Sequence, residues 1–227
     1  MFKNQENASG KALHFWKKCD IITAVYAKKA QDQDKGGDDL PDSNITKKAL
    51  ANALKELMAE VPFRSISISD ICGRCDMSRK SFYYHFKDKY DLVNWIYYNE
   101  FISVAKDKNY NSEWAFLEDI CGYFYENRNF YQKALRIEGQ NSFTEYFRDL
   151  LIPMIGEYMR DVFQDEENWD FYVQFFTDAI SIAIEKWILE KEPLPPERFI
   201  FLMRSCLWRT AEKMVQEIPE QEKLERR

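Results

Sequence analysis

The stretch Ser69–Leu92, SDICGRCDMSRKSFYYHFKDKYDL, decides the fold. Ile68, Ile71 and Cys72 recur at helical spacing, and Asp70 sits where the helix dipole favours a negative charge. The pattern stops at Cys75–Asp76–Met77. Ser78 is a good N-cap for a second, short helix running to about Tyr84. Asp88 caps a further long helix that carries Leu92, Val93, Ile96 and Tyr97. A helix, a three-residue turn and a short second helix make the spacing of a DNA-reading helix-turn-helix, here at about residues 68–86.

The residue types suit that task. Ile68, Ile71, Met77 and Phe82 would hold the second helix against the first. Arg79, Lys80 and Ser81 would stand at its exposed start, with Tyr83 and Tyr84 one turn on. Arginine and lysine suit guanine edges, whereas hydroxyls and lysines suit phosphates. His85 would either contact phosphate or close the reading helix. Free N–H groups at helix starts also suit phosphate oxygens. Around the reading helix, Thr46, Lys47 and Lys48, Ser67, Ser78, Lys87 and Lys89 would add backbone contacts. One tyrosine of the Tyr83–Tyr84 pair is expected to pack inward, with Tyr84 the outward one.

Charge follows the same division. The chain has 227 residues and a net charge of −6. Residues 44–95 hold 9 Lys+Arg against 6 Asp+Glu, whereas residues 96–227 hold 16 against 25. A basic head on an acidic body fits a protein that meets DNA at one end only. Scarce glycine and proline, abundant helix formers and 45% hydrophobic residues point to an all-α protein with a sizeable core.

Outward from the motif, Ser43 or Asn44 would cap a first helix with apolar positions Leu50, Ala53, Leu54, Leu57 and Met58, ended by Pro62. Further helices are expected at about 113–127, 129–137, 142–163, 168–190 and 196–216. Breaks are expected at Asn109–Asn111, Asn127–Asn129, Gly139–Asn141, Gln164–Asn168 and Pro193–Pro196. The organisation expected is therefore an N-terminal extension at 1–42, a three-helix DNA-binding domain at 43–103 and a larger helical domain at 104–227. Gln31–Asp42 reads as a linker or tail, and residues 11–30 could form one short helix. Residues 1–39 read as an over-extended gene start, with a DNA-touching arm as the alternative. The acidic run Glu217–Glu225 reads as a solvated helix end.

Other chemistries find little support. Cys72 and Cys75 form a C-x-x-C pair without a second ligand pair, so packing is favoured over metal binding. Five scattered cysteines do not make a secreted framework, and no apolar run suits a membrane span. Lysines ahead of Cys19–Ala27 imitate a signal peptide, but Asp20 and Thr23 interrupt it. A cytoplasmic, non-enzymatic protein without cofactor or metal is expected. The aromatic groups Trp114, Phe116, Tyr123–Tyr125, Phe130 and Tyr131 read as core rather than as a ligand pocket.

Ser78, Phe82–Lys87, Lys89, Asp91 and Leu92 match the signature of the TetR/AcrR regulators position by position, and residues 45–97 resemble that family. Asp76 stands where the family usually has glycine, a mild departure because Asp tolerates the left-handed backbone. Phe130–Phe143, FYQKALRIEGQNSF, resembles a segment of regulators related to the activator of dihydroxyacetone kinase operons. The resemblance implies a homodimer that binds a double-stranded operator, with the last two long helices forming the interface. Residues 171–189 are apolar on more than one face, which suits a helix buried on two sides. Phe175, Ala179, Ile182, Trp187, Phe201 and Cys206 are the expected interface residues. A ligand-responsive repressor is the first expectation. A TetR-type activator or co-regulator controlled by a protein partner is the alternative. The effector's binding residues are not legible.

Overall fold

The structure is a computed structural model that describes residues 41–105, 108, 110, 112–137, 142–160 and 167–217. The expected features at 1–40, Asn109, Asn111, Gly139–Asn141 and 218–225 lie outside these residues. Every regular element described is helical.

Helix α1 spans Pro41–Glu60. It starts ahead of the expected Ser43 or Asn44, because proline's fixed φ suits the first helical position. A 3-10 turn at Phe63–Ser65 leads to α2 (Ile68–Arg74) and α3 (Arg79–His85). Helix α4 covers Lys89–Tyr97, widens into a π-helix at Tyr98–Ile102 and ends as Ser103–Ala105. Leu50, Leu54, Ile71, Phe82, Leu92 and Ile96 are fully buried and close the core of this N-terminal unit.

The remaining helices are α5 (Glu113–Glu126), α6 (Arg128–Ala134), α7 (Phe143–Arg160), α8 (Trp169–Leu189) and α9 (Pro196–Glu217). Phe143, Phe147, Leu150, Leu151, Met154 and Ile155 form a buried stripe on α7 at three- and four-residue spacing. That stripe faces the interior, and α8, whose buried residues include Val173, Ile180 and Ile184, packs along α7. Pro153 is carried inside α7 without ending it.

Tyr97 ties the two parts of the molecule together. Its ring is fully buried and lies against Tyr123 and Phe124 of α5, Tyr131 of α6, and Phe143 and Phe147 of α7. Aromatic pairs in such arrangements add to the stabilisation from burial itself, about 0.5–1.5 kcal/mol for each pair.

Polar ties run alongside the rings. Lys55 Nζ on α1 donates to both carboxylate oxygens of Glu100 at 2.9 Å, and Tyr123 donates to Glu100 at 3.0 Å. The π-helical turn projects Glu100 at this crossing, a feature that the apolar periodicity of α4 did not signal. On α6, adjacent side chains reach two different helix ends. Gln132 donates to the carbonyls of Ile188 (2.8 Å) and Glu190 (3.0 Å), whereas Lys133 donates to those of Met58 and Ala59. Carbonyls at a helix C-terminus lack intrahelical partners, so such donors satisfy them.

Candidate nucleic-acid interface

Three capped helix starts organise the N-terminal surface. At α2, Ser67 Oγ accepts from the Asp70 amide (3.1 Å) while the Asp70 carboxylate accepts from the Ser67 amide (2.7 Å). This reciprocal capping box satisfies two orphan N–H groups and holds the Asp70 carboxyl below its ordinary pKa. At α3, Ser78 Oγ accepts from the Ser81 amide at 3.0 Å. At α4, Asp88 accepts from the amides of Tyr90 and Asp91, both at 2.9 Å. Asp91 in turn accepts from the Lys87 amide at 3.1 Å. Burial pushes the Asp91 carboxyl up despite the opposing charges of Lys87 and Lys47.

The turn between α2 and α3 is closed by the Met77 amide donating to the Cys72 carbonyl at 2.9 Å. Closing it requires Asp76 at φ 55°, in the left-handed region. Cys72 Sγ donates to the Ser78 carbonyl and Cys75 Sγ to the Ile71 carbonyl, while desolvation raises both thiols. The two thiols serve the packing of the turn.

Phe82 is the inward anchor of α3, fully buried and tilted against Phe86 with ring centroids 5.8 Å apart. Around it, α3 points Arg79 and Lys80 outward, and no carboxylate among the described residues forms a salt bridge with either. Tyr83 and Tyr84 are 51% and 66% exposed, so both tyrosines face outward rather than one. A seven-residue helix has a single inward stripe, and Phe82 occupies it. His85 is half-buried with its ring edge-on to Tyr84 at 4.9 Å, and Ser81 is half-buried. Lys48, Ser67, Ser78 and Lys87 are exposed, and Thr46 and Lys47 are half-buried.

Lys89 departs from the expected phosphate-facing role. Its ammonium turns inward and donates to the carbonyls of Phe63 (2.8 Å) and Ile66 (2.7 Å), with that of Arg64 at 3.5 Å. Arg74 is likewise committed, bidentate to Glu60 at 2.8 Å. Neither internal partner was visible in the sequence, because both depend on contacts between separate helices.

In the C-terminal part of the chain, α8 and α9 each expose an apolar face. Phe171, Phe175 and Ile182 on α8 are 67%, 57% and 48% exposed; Phe201, Trp208 and Met214 on α9 are 57%, 72% and 61%. Ala179 and Cys206 are exposed as well. Trp187 is not part of this face. Its indole is buried, stacks on Phe199 at 4.7 Å and donates to the Leu194 carbonyl at 2.9 Å. Position 187 continues the inward stripe of α8, so this residue joins α8 to α9 within one subunit. Trp208 and Phe171, which the sequence reading passed over, belong to the exposed face.

A cleft of about 500 Å³ lies between the end of α4 and α5, lined by Glu100, Phe101, Val104, Asp119, Gly122 and Tyr123 among others.

A capped helix-turn-helix with an outward row of donors, carried on a larger helical body, defines a DNA-binding transcriptional regulator. The comparisons with known proteins agree. Residues 50–96 match the family described as "Bacterial regulatory proteins, tetR family", and residues 112–207 match "Transcriptional regulator C-terminal region". The chain is 31% identical over 131 residues to the HTH-type dhaKLM operon transcriptional activator DhaS of Lactococcus lactis, covering 57% of this chain and 67% of that protein. It is 22% identical over 155 residues to the transposon Tn10 TetC protein of Escherichia coli, covering 63% of this chain and 77% of the relative. This chain belongs to the TetR family of transcriptional regulators. Two solved structures share its fold. The dihydroxyacetone kinase operon activator DhaS superposes with a TM-score of 0.56 at 24% identity, covering 73% of this chain and 96% of that one. A TetR transcriptional regulator from Streptococcus agalactiae gives 0.57 at 20%, covering 71% and 92%. Regulators of this family bind DNA operators and typically act as dimers.

Proposed function

We propose that the chain is a homodimeric, ligand-responsive repressor that reads its operator with α3. The observation that carries the DNA reading is the outward row of Arg79, Lys80, Tyr83 and Tyr84 on a helix whose start is capped by Ser78. In this reading Arg79 and Lys80 address base edges. Thr46, Lys47, Lys48, Ser67, Ser78, Ser81, His85 and Lys87 supply phosphate contacts around them. Residues 43–103 form the reading unit and residues from 104 onward the sensing and pairing unit. Two copies pair through the exposed faces of α8 and α9, with Phe175, Ala179, Ile182, Phe201 and Cys206 inside the seam. An effector on the C-terminal domain favours one spacing of the two heads over the other. No helix among the described residues is long and apolar enough to cross a membrane, and the proposed place of work is the cytoplasm.

A second reading is an activator or co-regulator switched by a protein partner. It is supported by the operon-activator role named for the relative DhaS. The ring-filled interior around Phe124, Tyr131, Phe143 and Phe147 also fits it. Run-off transcription with the purified regulator separates the signs: a repressor lowers transcript from its own operator and an activator raises it.

The test of the DNA reading is selection of duplexes from a random-sequence pool. Wild-type protein should enrich a palindrome, because a two-fold dimer presents two equivalent heads. Arg79→Ala with Lys80→Ala should weaken binding to that duplex at least about tenfold, since a bidentate base contact contributes roughly 1–3 kcal/mol. Gel filtration should show the same dimer. Full-affinity binding by the double variant refutes the assignment of α3.

A further inference from the structure

Lys89 occupies an electrostatically unfavourable place. It is the first residue of α4, where the positive end of the helix dipole disfavours a cation. Its ammonium does not extend into solvent but reaches back to the carbonyls of Phe63 and Ile66 at 2.8 and 2.7 Å. It also sits over the Phe63 ring, 4.4 Å from the centroid. Phe63 is buried and meets Tyr90, the neighbour of Lys89, edge-on at 5.2 Å.

The positions of these partners in the chain are informative. Ile66 immediately precedes Ser67, the cap of α2, and Lys89 begins the helix that follows α3. One ammonium therefore joins the segment entering the reading pair to the segment leaving it. At the start of α4 the Asp88 carboxylate takes the amides of Tyr90 and Asp91, and it is the Lys89 side chain that reaches the carbonyls of the 3-10 turn.

We propose that Lys89 is a positioning residue for operator reading: a clasp that fixes how α2 and α3 are presented, without itself touching DNA. Lys87, two residues earlier, supplies the contrast. It is exposed, and no carboxylate among the described residues forms a salt bridge with it. Desolvation lowers the Lys89 pKa, partly offset by the charge of Asp70, as expected of an ammonium turned away from water.

The proposal rests on the operator-binding reading, and the two fail separately. If wild-type protein enriches no duplex from a random pool, the operator reading fails. The clasp is then still tested by its ammonium signal in the free protein. With a selected duplex in hand, Lys89→Met and Lys87→Met are compared by affinity across a salt series. A lost phosphate contact reduces the slope of log affinity against log salt by about 0.9 per contact.

Lys89→Met should lower affinity about tenfold or more with the wild-type slope retained. Lys87→Met should flatten the slope. Lys89→Arg, which keeps N–H donors at the site, should recover most of the lost affinity. In wild-type protein, the Lys89 ammonium should give a slowly exchanging ¹H–¹⁵N signal that does not move when the duplex is added; its assignment comes from its absence in Lys89→Arg. This measurement stands even if Lys89→Met does not fold. A flattened slope in Lys89→Met overturns the proposal. So does wild-type affinity in a folded Lys89→Met variant, or an ammonium signal that is fast-exchanging or shifts with DNA.

Discussion

Asp76 is the one non-glycine residue among those described whose φ is positive, at 55°, and it sits in the turn that aims α3. A left-handed residue with a Cβ costs roughly 1–2 kcal/mol, and Asp lowers that cost through local hydrogen bonding of its short side chain. Glycine removes the steric cost but forfeits about 0.4–1 kcal/mol through the greater freedom of the unfolded chain. The expected order of stability is therefore Asp76→Gly first by about 0.5 kcal/mol, then wild type. Asp76→Ala should follow at about 0.5–1 kcal/mol below, and the β-branched Asp76→Val lower still. For a chain of this size, 1 kcal/mol corresponds to about 2–4 °C in melting temperature. Urea unfolding followed by helical circular dichroism resolves the order. Asp76→Asn isolates the charge, because Asn keeps the tolerance for this backbone. Removing one negative charge about 10 Å from a phosphate contributes about 0.4 kcal/mol in water before screening, close to a twofold gain in operator affinity at low salt. If Ala matched wild type and Gly destabilised the protein, a left-handed backbone at this position would be refuted.

Two further predictions concern the body of the protein. Burial raises the phenols of Tyr97 and Tyr131 well above the ordinary tyrosine value. An acid whose folded pKa is raised leaves stability untouched below its unfolded value, about 10, and loses it above, as the unfolded chain releases the proton first. In an alkaline titration read at 295 nm, exposed phenols should ionise gradually and these two only together with loss of helical signal; smooth ionisation of every tyrosine before unfolding would contradict the ring cluster. If the proposed dimer pairs through α8 and α9, Phe175→Asp with Trp208→Asp should give folded monomer in sedimentation velocity, because burying carboxylates in an apolar seam is strongly unfavourable. An undiminished dimer would place the interface elsewhere.

The internal lysine and the outward one show where sequence reading stops. Lys87 and Lys89 lie two residues apart in the same basic run, and nothing local distinguishes them. The partners of Lys89 come from a turn some 25 residues earlier, brought close only when α1, α2 and α4 pack. Trp187 teaches the same lesson in reverse: it was expected at an interface between copies, yet it lies on the inward stripe of α8 and stacks on Phe199 of α9 within one subunit. The π-helical turn at Tyr98–Ile102 left no trace in apolar periodicity, since both helix types bury a similar stripe over one turn.

What the sequence by itself determined is local. Caps at Ser78 and Asp88, the inward Ile71, Cys72 and Phe82, and the outward Arg79 and Lys80 all follow from short-range rules. Side-chain oxygens reach amides two or three residues away, and helical spacing divides inside from outside. The tertiary structure decided the commitments that join distant segments: Lys89 to the carbonyls of the 3-10 turn, Lys55 and Tyr123 to Glu100, and Gln132 and Lys133 to the ends of α8 and α1. Each joins a donor to an acceptor across more than twenty residues of chain. No spacing rule operates over that distance, and only the packing of helices sets which groups meet.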